Sequence, residues 1–249
     1  PLTEKIVGRC RENGIYAVED CAHLMYGKDI RKNIKGDVAI FSLKKQFPIP
    51  DGGILYDNTG VVEGKNSLRE IPRHKLNIGK NTSKLILKYY MQKINFVKKK
   101  YSPIDDDMES MSYLKIKRIS DLSENLFMKI CLNGYGSLII DRRRENFNHL
   151  MSIFHLNSDL PISLTFKNLN EKDTPYFFPI RINLNAYTII DGLRNDGIPI
   201  ISWPALDKNH ENFSSAESIR SHFIFFPLHE GILELHLEYM VNALKNKIA

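Results

Sequence analysis

The sequence predicts an α/β protein: part of an open, mostly parallel sheet with helices, followed by a smaller C-terminal α/β domain. Three observations predict it. Short apolar runs at 15–18 and 38–41 end in polar residues, as buried parallel strands do. Further on, helix-period segments alternate with apolar runs, the pattern of layered α/β structure. The 249 residues are 43% hydrophobic and 26% charged, an ordinary globular composition long enough for one or two buried cores.

The elements follow in order. Leu2, Ile6, Val7 and Cys10 keep helical spacing and Gly14 supplies a stop, which predicts a helix over 3–13. Strands are expected at 15–18, leading into Glu19-Asp20, at 38–41, leading into Ser42, and at 54–56 after the Gly52-Gly53 turn. In open α/β sheets ligands sit at the carboxyl ends of strands, where Asp20 and Ser42 fall. The pattern weakens between 61 and 120. Residues 83–99 are helix-like, with Leu85, Tyr89 and Ile94 among lysines, and 101–112, with Pro103 and three aspartates, reads as a linker. Domains are therefore expected at 1–110 and 111–249. Helical material is expected at 121–154 with a break near Asn133-Gly134, then a strand at 176–182 and a helix at 186–195 ended by Gly197. Strands at 198–201 and 222–226 and a closing amphipathic helix at 232–245 complete the reading.

Composition excludes several classes. No run approaches the roughly 20 apolar residues of a membrane span, and the amphipathic start lacks the apolar stretch of a secretion signal. Cys10, Cys21 and Cys131 show no metal-ligand spacing and cannot pair completely, which suits a reducing, cytoplasmic setting. The net charge of +6 permits nucleic acid as a partner. Yet K-K-K at 98–100 and R-R-R at 142–144 lack interleaved aromatics and read as solvated helix faces. No nucleic acid, membrane or metal partner is expected.

One constellation carries chemistry. The string V-E-D-C-A-H (18–23) sets Asp20 at one strand end, and A-I-F-S-L-K-K-Q-F-P-I-P-D-G-G (39–53) sets Ser42 at the next, with Lys44 and Lys45 just beyond. An acid, a hydroxyl and an amine so placed are the groups that pyridoxal 5'-phosphate requires, for its ring nitrogen, its phosphate and its aldehyde. Each has a plainer reading. Asp20 could be an exposed strand-end acid or a helix cap, Ser42 a turn former, and the lysines part of a surface loop.

These motifs resemble the DegT/DnrJ/EryC1/StrS family, sugar aminotransferases of PLP fold type I. Support comes from G-D-V-A-I-F-S (36–42) and P-D-G-G (50–53), and in the C-terminal half from F-P-I-R-I (178–182), L-R-N-D-G-I (193–198), S-W-P (202–204) and F-F-P-L-H (225–229). The resemblance implies that 1–110 is the C-terminal part of the PLP-binding large domain and 111–249 the small domain. It implies that Asp20 lies under the pyridine nitrogen, that His23 lies near the cofactor ring or its phenolic oxygen, and that Ser42 binds the phosphate. It also implies that Lys45 bonds the aldehyde in a shortened loop, with Lys44 where an arginine often stands. Relatives with histidine in place of the lysine are dehydratases. This loop has none, so transamination is expected, from an amino donor such as glutamate to a nucleotide-linked keto-sugar, in a homodimer.

Arg69, Arg73 and His74 match the family poorly and stay unassigned. Trp203 is expected to pack in the small domain or at its interface, with substrate stacking as the lesser alternative. Only nineteen residues precede Asp20, so the family's upstream phosphate cradle and ring-stacking residue have no counterpart in the sequence. The expectation is a C-terminal portion of a longer aminotransferase; a non-catalytic remnant or scaffold of the same fold is the alternative.

Overall fold

A computed structural model of the chain describes residues 2–24, 33–62, 71–73, 75, 117–170, 173–202 and 214–248. These fall into two compact units, the first including 117–138 and the second starting at 139. The expected helix at 83–99, the linker at 101–112 and the boundary at 110/111 lie outside the described residues, as do Arg69, His74 and Trp203.

In the first unit, helix α1 (Leu2–Glu12) ends at Gly14, whose φ of 66° accommodates the reversal. Strands β1 (Val18–Asp20), β2 (Val38–Ser42) and β3 (Gly53–Asp57) form a sheet in that order. β1 and β2 run parallel with Asp20 beside Ile40; β3 pairs antiparallel with β2, Ser42 opposite Gly53. Side chains alternate across the pleat. One face therefore carries Glu19, Ala39, Phe41, Ile54 and Tyr56, and Ala39 and Phe41 bury with Cys21 and Ile34. The other face carries Val18, Asp20, Val38, Ile40, Ser42 and Leu55; Val38 is buried, whereas Val18, Ile40 and Leu55 remain exposed.

This differs from the buried parallel strand expected at 15–18. Ile15 and Tyr16 precede the ladder and are exposed, and β1 begins only at Val18. The apolar run was read as if both faces were covered; among the described residues only one is.

Two structural helices follow in the first unit. α2 (Leu43–Gln46) is a single turn that starts directly from β2, with Leu43 and Gln46 buried. α3 (Asp121–Leu132) begins at Ser120, whose hydroxyl accepts from Ser123 N, a serine N-cap. Phe127 of α3 meets Phe47 edge-on at 5.3 Å.

The second unit is organised by α4 (Tyr135–Leu156), which follows the expected break at Gly134. A fully antiparallel sheet of β4 (Ile162–Leu164), β5 (Phe177–Ile182) and β6 (Phe223–Pro227) lies with α5 (Ala186–Asn195), α6 (Ser214–His222) and α7 (Glu234–Ile248). Its core runs from Phe147 through Phe178, Ile180, Leu193 and Phe226 to Leu244. Residues 198–201 do not form the expected strand; they end in a single bridge between Ile201 and Phe225. β4 and α6 were not foreseen, being too short or too polar to show a period.

The arginine run departs from the solvated face expected. Arg143 is buried, reaches Glu230 at 3.4 Å and lies over the Tyr176 ring at 5.6 Å. Arg144 donates to the carbonyls of Asn170 and Asp173, and Arg142 pairs with Glu145. Only the first and last are partly solvated, so the run serves packing as much as solubility.

Candidate active site

β1 and β2 are parallel neighbours, so both carboxyl ends point the same way, and Asp20 and Ser42 are the residues at those ends. Their register places them on the same face of the sheet, on adjacent strands. The Asp20 carboxylate accepts from the Ala22 amide at 2.9 Å, which turns the chain out of β1 and holds the acid at its end. Ser42 occupies the position before α2 in extended backbone (φ −101°, ψ 105°), yet its hydroxyl makes no capping bond to the helix. It is a strand-end serine that does not serve its own helix.

The direct step from β2 into α2 fixes what comes next. Leu43 and Gln46 turn inward, so Lys44 is exposed and Lys45 is half-buried. Lys45 Nζ lies 3.2 Å from His23 Nε2, within hydrogen-bond distance. His23 follows Asp20 by three residues, so this contact joins the two motifs that the sequence keeps apart. Asp20 and His23 thus leave β1 together, and Ser42 and Lys45 leave β2 together.

The supporting frame uses acids that sequence reasoning left without a role. Glu19 Oε1 accepts from the amides of Lys35 and Gly36, and Asp37 Oδ2 accepts from Ala17 N at 2.9 Å. Gly36 is required at this turn: a Cβ there would meet Ala17 O at 2.9 Å and Glu19 Cγ at 3.0 Å. Asp51, from P-D-G-G, accepts from the Ser120 hydroxyl at 2.8 Å and from its amide, and its own amide donates to Ser123 Oγ. The signal was present in the acids beside glycines in G-D and P-D-G-G, which read as turn formers before they read as braces, whereas Glu19 has no glycine beside it.

Cys21 lies between the two site residues of its motif and faces the opposite way. Burial, with the Glu19 and Asp20 carboxylates adding to it, pushes its thiol up to about 11. It is a packing residue. Arg73 pairs with Asp121 at 2.9 Å and with Glu124 on the first turn of α3, which makes it a brace of that helix. Among the described residues no group of histidine, cysteine and carboxylate side chains could hold a metal ion, and no helix is long and apolar enough to cross a membrane.

No protein-family model and no curated protein matches the chain. Solved structures do match. A DegT DnrJ EryC1 StrS aminotransferase from Brucella abortus matches with a TM-score of 0.57 at 15% identity, over 98% of this chain and 60% of its own. Helicobacter pylori PseC, an aminotransferase involved in the biosynthesis of pseudoaminic acid, matches at TM-score 0.60 and 14% identity, over 98% of this chain and 62% of its own. E. coli GDP-4-keto-6-deoxy-D-mannose-3-dehydratase with bound hydrated PLP matches at 0.56 and 17%, over 97% of this chain and 63% of its own. The chain has the fold of this aminotransferase group over the span it covers. It spans about 60% of the length of the first of these structures.

The donor set fits pyridoxal 5'-phosphate. A carboxylate, a hydroxyl not used as a cap and a lysine amine gather at the ends of two parallel strands, and each answers a different part of the cofactor.

Proposed function

We propose that this chain forms part of a pyridoxal phosphate-dependent aminotransferase of sugar biosynthesis. The contact between Lys45 Nζ and His23 Nε2 carries the reading, because it brings the E-D-C-A-H and S-L-K-K motifs into one site. Residues 1–110 act as the C-terminal part of the cofactor-binding large domain and 111–249 as the small domain.

Bound pyridoxal 5'-phosphate would supply an electron sink that lets an amino acid lose its α-proton. Asp20 keeps the ring nitrogen protonated, since a carboxylate favours the charged form of a neighbouring base. Ser42 donates its hydroxyl to the phosphate. Lys45 would hold the cofactor through its aldehyde, and its Nζ would carry a proton to and from the donor's Cα. His23 lies 3.2 Å from the Lys45 amine and would stand near the bound cofactor ring. Glutamate is the proposed donor and a nucleotide-linked keto-sugar the acceptor, in a cytoplasmic homodimer. One of the matched structures is a dehydratase by its own description. The lysine in this chain's loop supports amino transfer instead, because a primary amine can both condense with the aldehyde and carry the proton, whereas an imidazole can do only the second.

The test is chemical. A polypeptide carrying these residues is incubated with pyridoxal phosphate, reduced with borohydride and mapped by mass spectrometry. A phosphopyridoxyl group on Lys45 is expected. Modification of Lys44 alone would keep the enzyme class and move the covalent lysine. Modification of neither would leave a non-catalytic scaffold of the same fold.

A further inference from the structure

A lysine amine sits on four rotatable bonds and, left alone, samples a wide volume at a cost in order whenever it reacts. The backbone of Lys45 is fixed by the buried Leu43 and Gln46 on either side, but its side chain is only half-buried. Packing alone does not place Nζ. Across from it, His23 is a short ring on a tethered backbone. Cys21 N donates to Ile40 O at 2.8 Å, Leu24 N donates to Cys21 O at 3.0 Å, and Cys21 itself is buried behind the sheet.

We propose that His23 is a positioning residue for Lys45: its Nε2 holds the Lys45 amine at the strand ends, and so makes Lys45 rather than the adjacent Lys44 the amine that meets an aldehyde. This rests on the reading of Lys45 as the covalent lysine. An imidazole nitrogen can offer a lone pair to an ammonium or an N–H to a neutral amine, depending on its tautomer. The contact can therefore persist while the lysine changes charge. Lys44, one residue earlier, is exposed on the single turn of α2 and has no such partner in the hydrogen bonds of the described residues.

The experiment compares the chain with its His23→Phe and His23→Gln variants. Each is incubated with pyridoxal phosphate and reduced by borohydride, which converts the condensed C=N bond to a secondary amine. Mass spectrometry then gives the ratio of modification at Lys45 to that at Lys44. A general loss of folding would itself level the two lysines, so each variant is first shown by circular dichroism to fold as the wild-type chain does; His23 is exposed enough to accept either substitution. The wild-type chain should favour Lys45. Losing one hydrogen bond in His23→Phe should lower the ratio about tenfold. His23→Gln, whose amide both accepts and donates, should restore most of it. An unchanged ratio in His23→Phe overturns the proposal and leaves Lys45 as the covalent lysine. Equal losses in both variants overturn it too, because a side chain able to accept and donate would then fail to replace the ring nitrogen. If the wild-type chain is modified at neither lysine, the reading of Lys45 falls and the positioning role falls with it.

Discussion

Asp20, Ser42 and Lys45 were each readable as residue types in the sequence, and Lys45 was preferred to Lys44 only through the family resemblance. Spacing placed both lysines after Ser42. The turn geometry of Leu43–Gln46 adds a physical difference, leaving Lys44 exposed and bringing Lys45 to His23. At this scale Cys21 provides a direct check. Its thiol is buried and pushed up to about 11, whereas Cys131 is exposed. The thiolate is the reactive form. At pH 8 a thiol-specific disulfide reagent should label Cys131 in the folded chain and reach Cys21 only after denaturant is added. Fast labelling of Cys21 in the folded chain would mean that the face carrying Ala39 and Phe41 is not closed. Gly52 gives a second check. Its φ is 118°, and a Cβ there would sit 2.6 Å from Ile119 Cδ1. Gly52→Ala should therefore destabilise the chain by about 1–3 kcal/mol, the range for a strained backbone position. The shift of the urea midpoint measures it.

At the scale of elements, the strongest periodic segments were legible and the short ones were not. The helix at 186–195 was placed residue for residue as α5, and the break at Gly134 between α3 and α4 was anticipated. β4, with three residues, and α6, with no buried residue, have too little pattern to announce themselves. The role of P-D-G-G was also hidden, because its meaning depends on residues about seventy positions away. Asp51 takes the Ser120 hydroxyl and amide, and the two serines bond each other at 3.1 Å. Ser120 and Ser123 are both buried. Asp51→Ala should cost about 1–3 kcal/mol, since it leaves buried donors without their acceptor. Ser120→Ala should cost about 1 kcal/mol or more, through loss of the N-cap. A double-mutant cycle on the two should give less than the sum, because they remove the same bond. Strict additivity in urea unfolding would mean that the serine caps α3 without help from Asp51.

For the whole molecule, the sequence shows two domains because it shows two patterns, a strand-and-turn region before residue 60 and a helix-strand alternation after 120. Among the described residues two hydrophobic cores form, and the first compact unit also takes in residues 117–138. The first cluster draws on Cys21, Ile34, Ala39 and Phe41, the second on residues from Phe147 to Leu244, and no residue belongs to both. They also differ in kind. The first is small and lies behind one face of a sheet whose opposite face leaves Val18, Ile40 and Leu55 exposed, whereas the second surrounds three antiparallel strands with aromatic pairs at its centre. Phe178 sits in the middle of that second core, stacked on Phe154 at 5.6 Å and tilted against Phe147 at 4.9 Å. Truncating it to alanine removes a fully buried ring and opens a cavity, at a cost of about 3–5 kcal/mol. Because its neighbours all belong to the second cluster, the loss should appear in the amides of β5, β6 and α7 and not in those of β2 and β3. Hydrogen exchange read by mass spectrometry on Phe178→Ala resolves the two sets of peptides. Faster exchange confined to the second set is the expected result, and equal acceleration in Val38–Ser42 would show that the two cores unfold as one.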